Sequence, residues 1–147
     1  MSAIIVAVVN EDCRTDMWST AVELAGDRGS RLILYDIDAP GMFTTSVPLE
    51  DPERYQDPLN ASELDRLGRQ ELAKQVEDAR EQGIDTWGWL PESAKPQALV
   101  DYLEEIGAAT LVLPRVMTDQ TWYQHFQGLT SAHVQEAASQ LEVVLVG

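Results

Sequence analysis

The chain reads as an α/β domain built on an open, five-stranded parallel sheet with helices on both faces. Short apolar runs within positions 3–9, 31–37, 110–113 and 142–146 have the pattern of strands, and the first, unbroken from 3 to 9, that of a strand buried on both sides. Between them lie segments with helical spacing, each long enough to cross back over a sheet. Strand and helix alternate along the whole chain, and such an order packs as a parallel sheet covered on both faces. At 147 residues, with 44% apolar and 24% charged, the chain is expected to form one domain over 1–147.

The first strand, 3–9, is expected at the centre of the sheet. Thr15 or Asp16 can cap a helix over 16–28, whose Met17, Ala21, Leu24 and Ala25 share one stripe, and Gly29 supplies a left-handed stop. A second strand follows at once and ends near Asp36. Positions 38–60 carry four of the seven prolines, Pro40, Pro48, Pro52 and Pro58, together with Gly41, so a long connection is expected. Ser62 opens the longest helix, with Leu64, Leu67, Leu72, Val76 and Ala79 at helical spacing, and Gly83 ends it. Positions 84–90 form a peripheral strand with Trp87 and Trp89 on one face and Thr86, Gly88 and Leu90 on the other. Pro96, behind Ser93, starts a helix over 95–106 that stops at Gly107. After the strand at 110–113, positions 114–127 read as irregular, a helix fits 130–139, and 142–146 closes the sheet.

Ten basic against twenty-five acidic residues give a net charge of −15, which repels phosphate backbones and anionic headgroups. Nucleic acid and membrane surfaces are therefore excluded as expected partners. The acidity fits either a salt-adapted source or a solubility device. The single cysteine, Cys13, allows no internal disulfide and no thiolate cluster, so a reducing cytoplasm is the expected location. No apolar stretch has the length of a membrane span, and the N-terminal residues lack a signal-peptide pattern.

Ligands of an open parallel sheet bind beyond the carboxyl ends of its strands, where strand order reverses. The loops after the first and fourth strands are thus the places to search. A receiver domain of two-component signalling shares the element order but requires an aspartate ending strand three, where Leu90-Pro91-Glu92 stands, and a late lysine, whereas Lys95 is the last. Positions 10–16 hold no glycine, which excludes a dinucleotide fingerprint or a P-loop there. The two histidines, His125 and His133, sit in no nucleophile motif, so catalysis is not expected.

Ile4-Ile5-Val6-Ala7-Val8, Gly83-Ile84, the run from Ile106 to Leu113 and the closing Val143-Val144-Leu145-Val146 together resemble a universal stress protein. The resemblance covers nearly the whole chain and implies the adenine nucleotide alpha hydrolase-like fold, with strand order 3-2-1-4-5. Members that bind ATP carry after strand four a glycine, two residues, a second glycine, nine residues, then a third glycine followed by Ser or Thr. Bare glycine backbone in such a loop lets N–H groups reach phosphates. With the third glycine aligned on Gly128, Arg115 and Thr118 stand where the first two belong, and Leu129 replaces the hydroxyl residue. The family's aspartate at the end of strand one falls on Val9, or on Asn10 in a register shifted by one.

The candidate ligand-contacting set is accordingly Val9, Asn10, Asp36, Arg115, Thr118, Gly128, Thr130 and Ser131, with no metal and no cofactor expected. ATP is the alternative, held by Gly128, Thr130 and Ser131 with Arg115 in place of glycine backbone. Side chains of Arg115, Met117 and Thr118 stand where a triphosphate would lie, and Trp122, Tyr123, His125 and Phe126 are expected to fold inward and fill the vacated cleft. Each residue also has a plainer reading: Arg115 as a surface partner of Asp119 or Glu11, the histidines as solvated or capping groups, and Cys13 as an incidental thiol. Trp87 and Trp89 are expected in the core rather than on a partner surface. The acidic, proline-rich 38–60 connection is either a lid or a solvated loop.

Val143 to Val146 carries no charge, proline or bulge of the kind that protects an edge strand. Two copies are therefore expected to pair these edges about a two-fold axis, an arrangement the resemblance also implies. The expected role is a non-enzymatic, stress-related binding module whose partner is a protein or small molecule.

Overall fold

The computed structural model describes residues 3–9, 14–37, 58–91, 95–132 and 141–146, with side chains at all of these but 14–16, 119 and 130–132. Five strands, β1 (Ile4–Val9), β2 (Arg31–Asp36), β3 (Thr86–Trp89), β4 (Thr110–Pro114) and β5 (Glu142–Val146), form one sheet in the order β3-β2-β1-β4-β5. All four pairings are parallel. The described helices are α1 (Arg14–Arg28), α2 (Ala61–Arg66), α3 (Gln70–Glu81), α4 (Pro96–Ile106) and α5 (Thr121–Ala132).

Strand alternation divides the core in two. Ile5, Ala7 and Val9 of β1 and Leu32 and Leu34 of β2 pack under α1, α2 and α3. Val6, Val8, Ile33 and Tyr35 point the other way, toward α4 and α5. Central strands buried on both faces need apolar residues at every position, which is why β1 shows no polar alternation. Val22 and not Leu24 joins Met17, Ala21 and Ala25 in the buried stripe of α1, with Leu24 left half-buried. Gly29 takes the left-handed conformation that ends α1, at φ 62°, and Gly107 does the same for α4, at φ 67°.

The expected single helix from Ser62 is two helices, and it starts earlier. Asn60 caps α2: its Oδ1 accepts the Glu63 N–H at 2.9 Å, while Glu63 Oε1 accepts the Asn60 N–H at 3.2 Å. This reciprocal box satisfies two donors that a helix start otherwise leaves open. Gly68, at φ 82°, then turns the chain between α2 and α3, and the apolar spacing continues across the break because both helices face the same core. The third strand is shorter than expected, Thr86–Trp89, and lies at the sheet edge.

The region after β4 also departs from expectation. A 3₁₀ turn, Arg115–Asp119, leads into α5, which begins at Thr121, so the segment expected to be irregular is helical over its second half. Phe126 is buried and Trp122 and Tyr123 are half-buried, so this segment has a core-facing side, which helical packing rewards and a loop would waste. Of 38–60, only 58–60 lie within the described residues; the lid reading, Ser93 and the stretch 133–140 lie outside them.

Candidate functional site

The carboxyl ends of β1, β2 and β4 converge where the strand order reverses, between β1 and β4. Val9 ends β1 fully buried, in register with Asp36, and its carbonyl accepts the Ile37 N–H at 3.1 Å. No carboxylate meets a ligand from this position. Asn10, Cys13 and His133 lie outside the described residues, as do the side chains of Thr130 and Ser131.

Asp36 ends β2 on the same face as Leu32 and Leu34 and is fully buried. Arg69, which precedes α3, donates to its Oδ2 from Nε at 3.0 Å and from Nη2 as well. A carboxylate taken out of water needs such a partner. The pair joins the α2–α3 turn to the end of β2. Sequence reasoning missed Arg69 as its counter-ion. No local signal pairs the two, because 33 positions separate them.

After β4, the 3₁₀ turn closes on itself. Thr118 Oγ1 donates to the Arg115 carbonyl at 2.7 Å, and the Gln120 N–H donates to the Met117 carbonyl at 3.1 Å. Met117 is 3% exposed and packs with Val6, Val8 and Phe126, whereas Val116 is 54% exposed. The Gln120 carbonyl accepts the N–H groups of Tyr123 and Gln124, at 3.0 and 3.4 Å, so part of the first turn of α5 is already bonded.

Gly128 is the eighth of the twelve residues of α5 and is exposed. In a helix interior its N–H belongs to the i−4 ladder and is turned away from any ligand. The aromatic segment divides by helical phase. Phe126 is buried, with the Trp122 ring 5.6 Å from it and nearly parallel and the Tyr123 ring at 6.2 Å, while His125 is exposed. The expected inward folding therefore holds for Phe126 and in part for Trp122 and Tyr123, and fails for His125, which the helix turns outward.

The two tryptophans of β3 also differ. Trp89 stacks on Tyr102 of α4 at 4.7 Å, in the core as expected. Trp87 is half-buried, donates its indole N–H to Asp85 Oδ1 at 2.8 Å and lies under the Arg80 guanidinium at 4.4 Å. Burial opposes the charge on Asp85, but hydrogen bonds from Arg31 and Trp87 and the nearby Arg31 and Arg80 charges outweigh it and hold the carboxyl below its ordinary value. Burial raises the Tyr35 and Tyr102 hydroxyls well above theirs, aided by nearby carboxylates. Among the described residues no group of three or more His, Cys, Asp or Glu is placed to hold a metal ion, and no helix is long and apolar enough to cross a membrane.

Comparison with known proteins finds no matching family model and no matching curated protein. Solved structures do match. A universal stress protein from Archaeoglobus fulgidus superposes with a TM-score of 0.58 at 14% identity, over 100% of this chain and 95% of that one. A structure of the Archaeoglobus fulgidus universal stress protein in complex with dAMP gives 0.56 at 17% identity, over 100% and 98%. A protein of the universal stress protein family from Burkholderia pseudomallei gives 0.51 at 18% identity, over 97% and 94%. The chain has the universal stress protein fold, with the strand order that the resemblance implied.

Proposed function

We propose that this chain is a non-enzymatic binding module of the universal stress protein type, acting in the cytoplasm as a homodimer joined through β5, and that it does not hold ATP by the glycine-loop mode. The observation that carries the second part is the position of Gly128 inside α5. A glycine serves a triphosphate by presenting an unbonded N–H on bare backbone, and inside a helix that N–H is taken up by the i−4 carbonyl. The 3₁₀ turn before it adds bulk, with the Arg115 side chain exposed and the Thr118 hydroxyl donated to main chain.

The dimer reading rests on the edge of the sheet. Among the described residues β5 pairs with β4 alone, its residues from Val144 to Val146 are half-buried, and Val143 is 41% exposed. Uncharged β-branched residues on an open edge favour pairing with a second copy, and a two-fold axis closes such an assembly. The partner or small molecule such a module serves is to be sought among stress or signalling ligands.

A second reading, a nucleotide binder with an atypical phosphate loop, is favoured by one observation, the dAMP complex of a protein with this fold. In that case Arg115 supplies the charge that glycine backbone supplies elsewhere, with Thr130 and Ser131 beside Gly128. Calorimetry with ATP and AMP, together with mass spectrometry of any ligand released from purified protein, separates the two. The proposal expects no heat at micromolar nucleotide and no released adenosine compound; micromolar binding of either nucleotide overturns it in favour of the second reading.

A further inference from the structure

A groove of about 450 Å³ runs between α1 and the chain that follows α3. Its shape follows from helical spacing. Residues 18, 22 and 26 form one row of α1 at four-residue intervals, and 19, 23 and 27 form the adjacent row. Trp18, Val22 and Ile84 supply an apolar floor. Gly26 keeps the groove open, since a Cβ there would stand 3.3 Å from Ile84 Cδ1. Trp18 is held in place because its indole N–H donates to the Gln75 carbonyl of α3 at 2.8 Å, which leaves a half-buried, immobilised ring lining the groove.

The rim carries charge of one sign. Glu23 and Asp27 are both exposed and stand one turn apart, and among the described residues neither has a hydrogen bond or ion pair and no basic side chain lines the groove. Like charges at this spacing repel and weaken a helix, so the isolated chain gains nothing from the arrangement. A cation gains from it twice. Its charge is attracted by the two carboxylates, and its apolar stem or guanidinium plane is received by an aromatic face beside an aliphatic one.

We infer that this groove docks a basic segment of a partner protein, with the stem of a lysine or arginine along Trp18 and Val22 and its charge between Glu23 and Asp27. The net charge of −15 steers any polycation toward the molecule without selecting a place on it. Selection comes from the apolar floor beside carboxylates that have no partner among the described residues. None of the groove residues belongs to β5 or to the turn after β4, so this inference stands or falls apart from the dimer and the nucleotide readings.

The test is a nuclear magnetic resonance titration of the full isotope-labelled chain with a short synthetic peptide rich in lysine, arginine and leucine, at about 0.15 M salt, where exposed charges more than about 8 Å apart are largely screened. The Trp18 indole and Gly26 amide resonances are expected to shift. The double variant Glu23→Gln/Asp27→Asn should weaken binding at least about tenfold, the loss appropriate to desolvated cation contacts. A control that removes the same two charges elsewhere, Glu77→Gln/Glu105→Gln, should change it by less than about twofold, since surface charges far from a contact matter little. Amide spectra of both variants establish that they fold. Equal losses in the two variants, shifts confined to other regions, no binding, or equally tight binding of free arginine would each overturn the inference.

Discussion

The two edges of the sheet are managed in opposite ways. At β3, Leu59 and Gly88 exchange backbone hydrogen bonds of 2.8 Å each, forming a one-residue antiparallel bridge on the outer side of the strand. Arg80 Nε donates to the Thr86 carbonyl at 2.7 Å, so a second outward group is covered by a side chain from α3. At β5 no described residue covers the outer side, and the strand is apolar beyond Glu142. The first edge is closed by the chain itself. An edge that no described residue covers and that carries no charge beyond Glu142 is one another strand can extend, which is why the proposed dimer pairs β5 and not β3.

The closed edge depends on the α2–α3 unit, and removing its anchor has the largest expected effect. Arg69→Ala leaves the buried Asp36 carboxylate without its guanidinium and should cost about 3–5 kcal/mol in urea unfolding. Asp36→Leu combined with Arg69→Met should recover most of that loss, because it removes the buried charge itself. Gly88→Ala comes next. A Cβ at this position would stand 2.6 Å from Cδ1 of the fully buried Leu64, so the Leu64 side chain or α2 itself must shift, at a cost of about 1–3 kcal/mol, measured the same way. Asn60→Ala, which deletes the cap that sets Leu59 against Gly88, should cost about 1 kcal/mol.

The open edge should behave differently. Val143→Lys places a charge on an exposed position and is expected to change stability by less than about 0.5 kcal/mol. Light scattering should nevertheless show the mass fall from a dimer to the 16.3 kDa monomer. A wild-type chain already monomeric at tens of micromolar would break the comparison.

The smallest effect is in acid. The Arg28 hydrogen bond, opposed by desolvation and aided by the Arg28 charge and by Thr110, holds the Glu142 carboxyl below its ordinary value. A carboxyl lowered in the folded state stabilises above its unfolded value and loses that contribution as pH falls through the folded one. Stability should therefore decline slightly faster below the ordinary glutamate range in the parent than in Glu142→Gln, as read by thermal melts. Both partners are about half exposed, so solvent screens most of the effect.

Much of the fold was legible in the residues. Apolar runs located β1, β2, β4 and β5, and Gly29 and Gly107 ended two helices where their conformational freedom implied. The capping box at Asn60 and Glu63 is present in the sequence as a spacing, one that helical periodicity alone, which points to Ser62, does not reveal. The candidate site was less legible. Aligning three glycines by spacing alone assumed that 114–127 was a loop, but Phe126, with Trp122 and Tyr123 beside it, gains more by packing on the core than by lining a cleft. Asp36 enters the candidate set at the carboxyl end of a strand, and its ion pair with Arg69, 33 positions away, emerges only when the chain folds.

By itself the sequence determined the alternation of strand and helix, the two-sided burial of the central strands and the acidic field around the molecule, since these depend on local spacing and on summed charge. Tertiary structure alone decided that Gly128 lies within a helix, that Asp36 pairs with Arg69, and that one sheet edge is covered while no described residue covers the other. Each of these depends on which distant residues come into contact, and a buried charge or an exposed strand takes its meaning from that neighbour and not from its place in the chain.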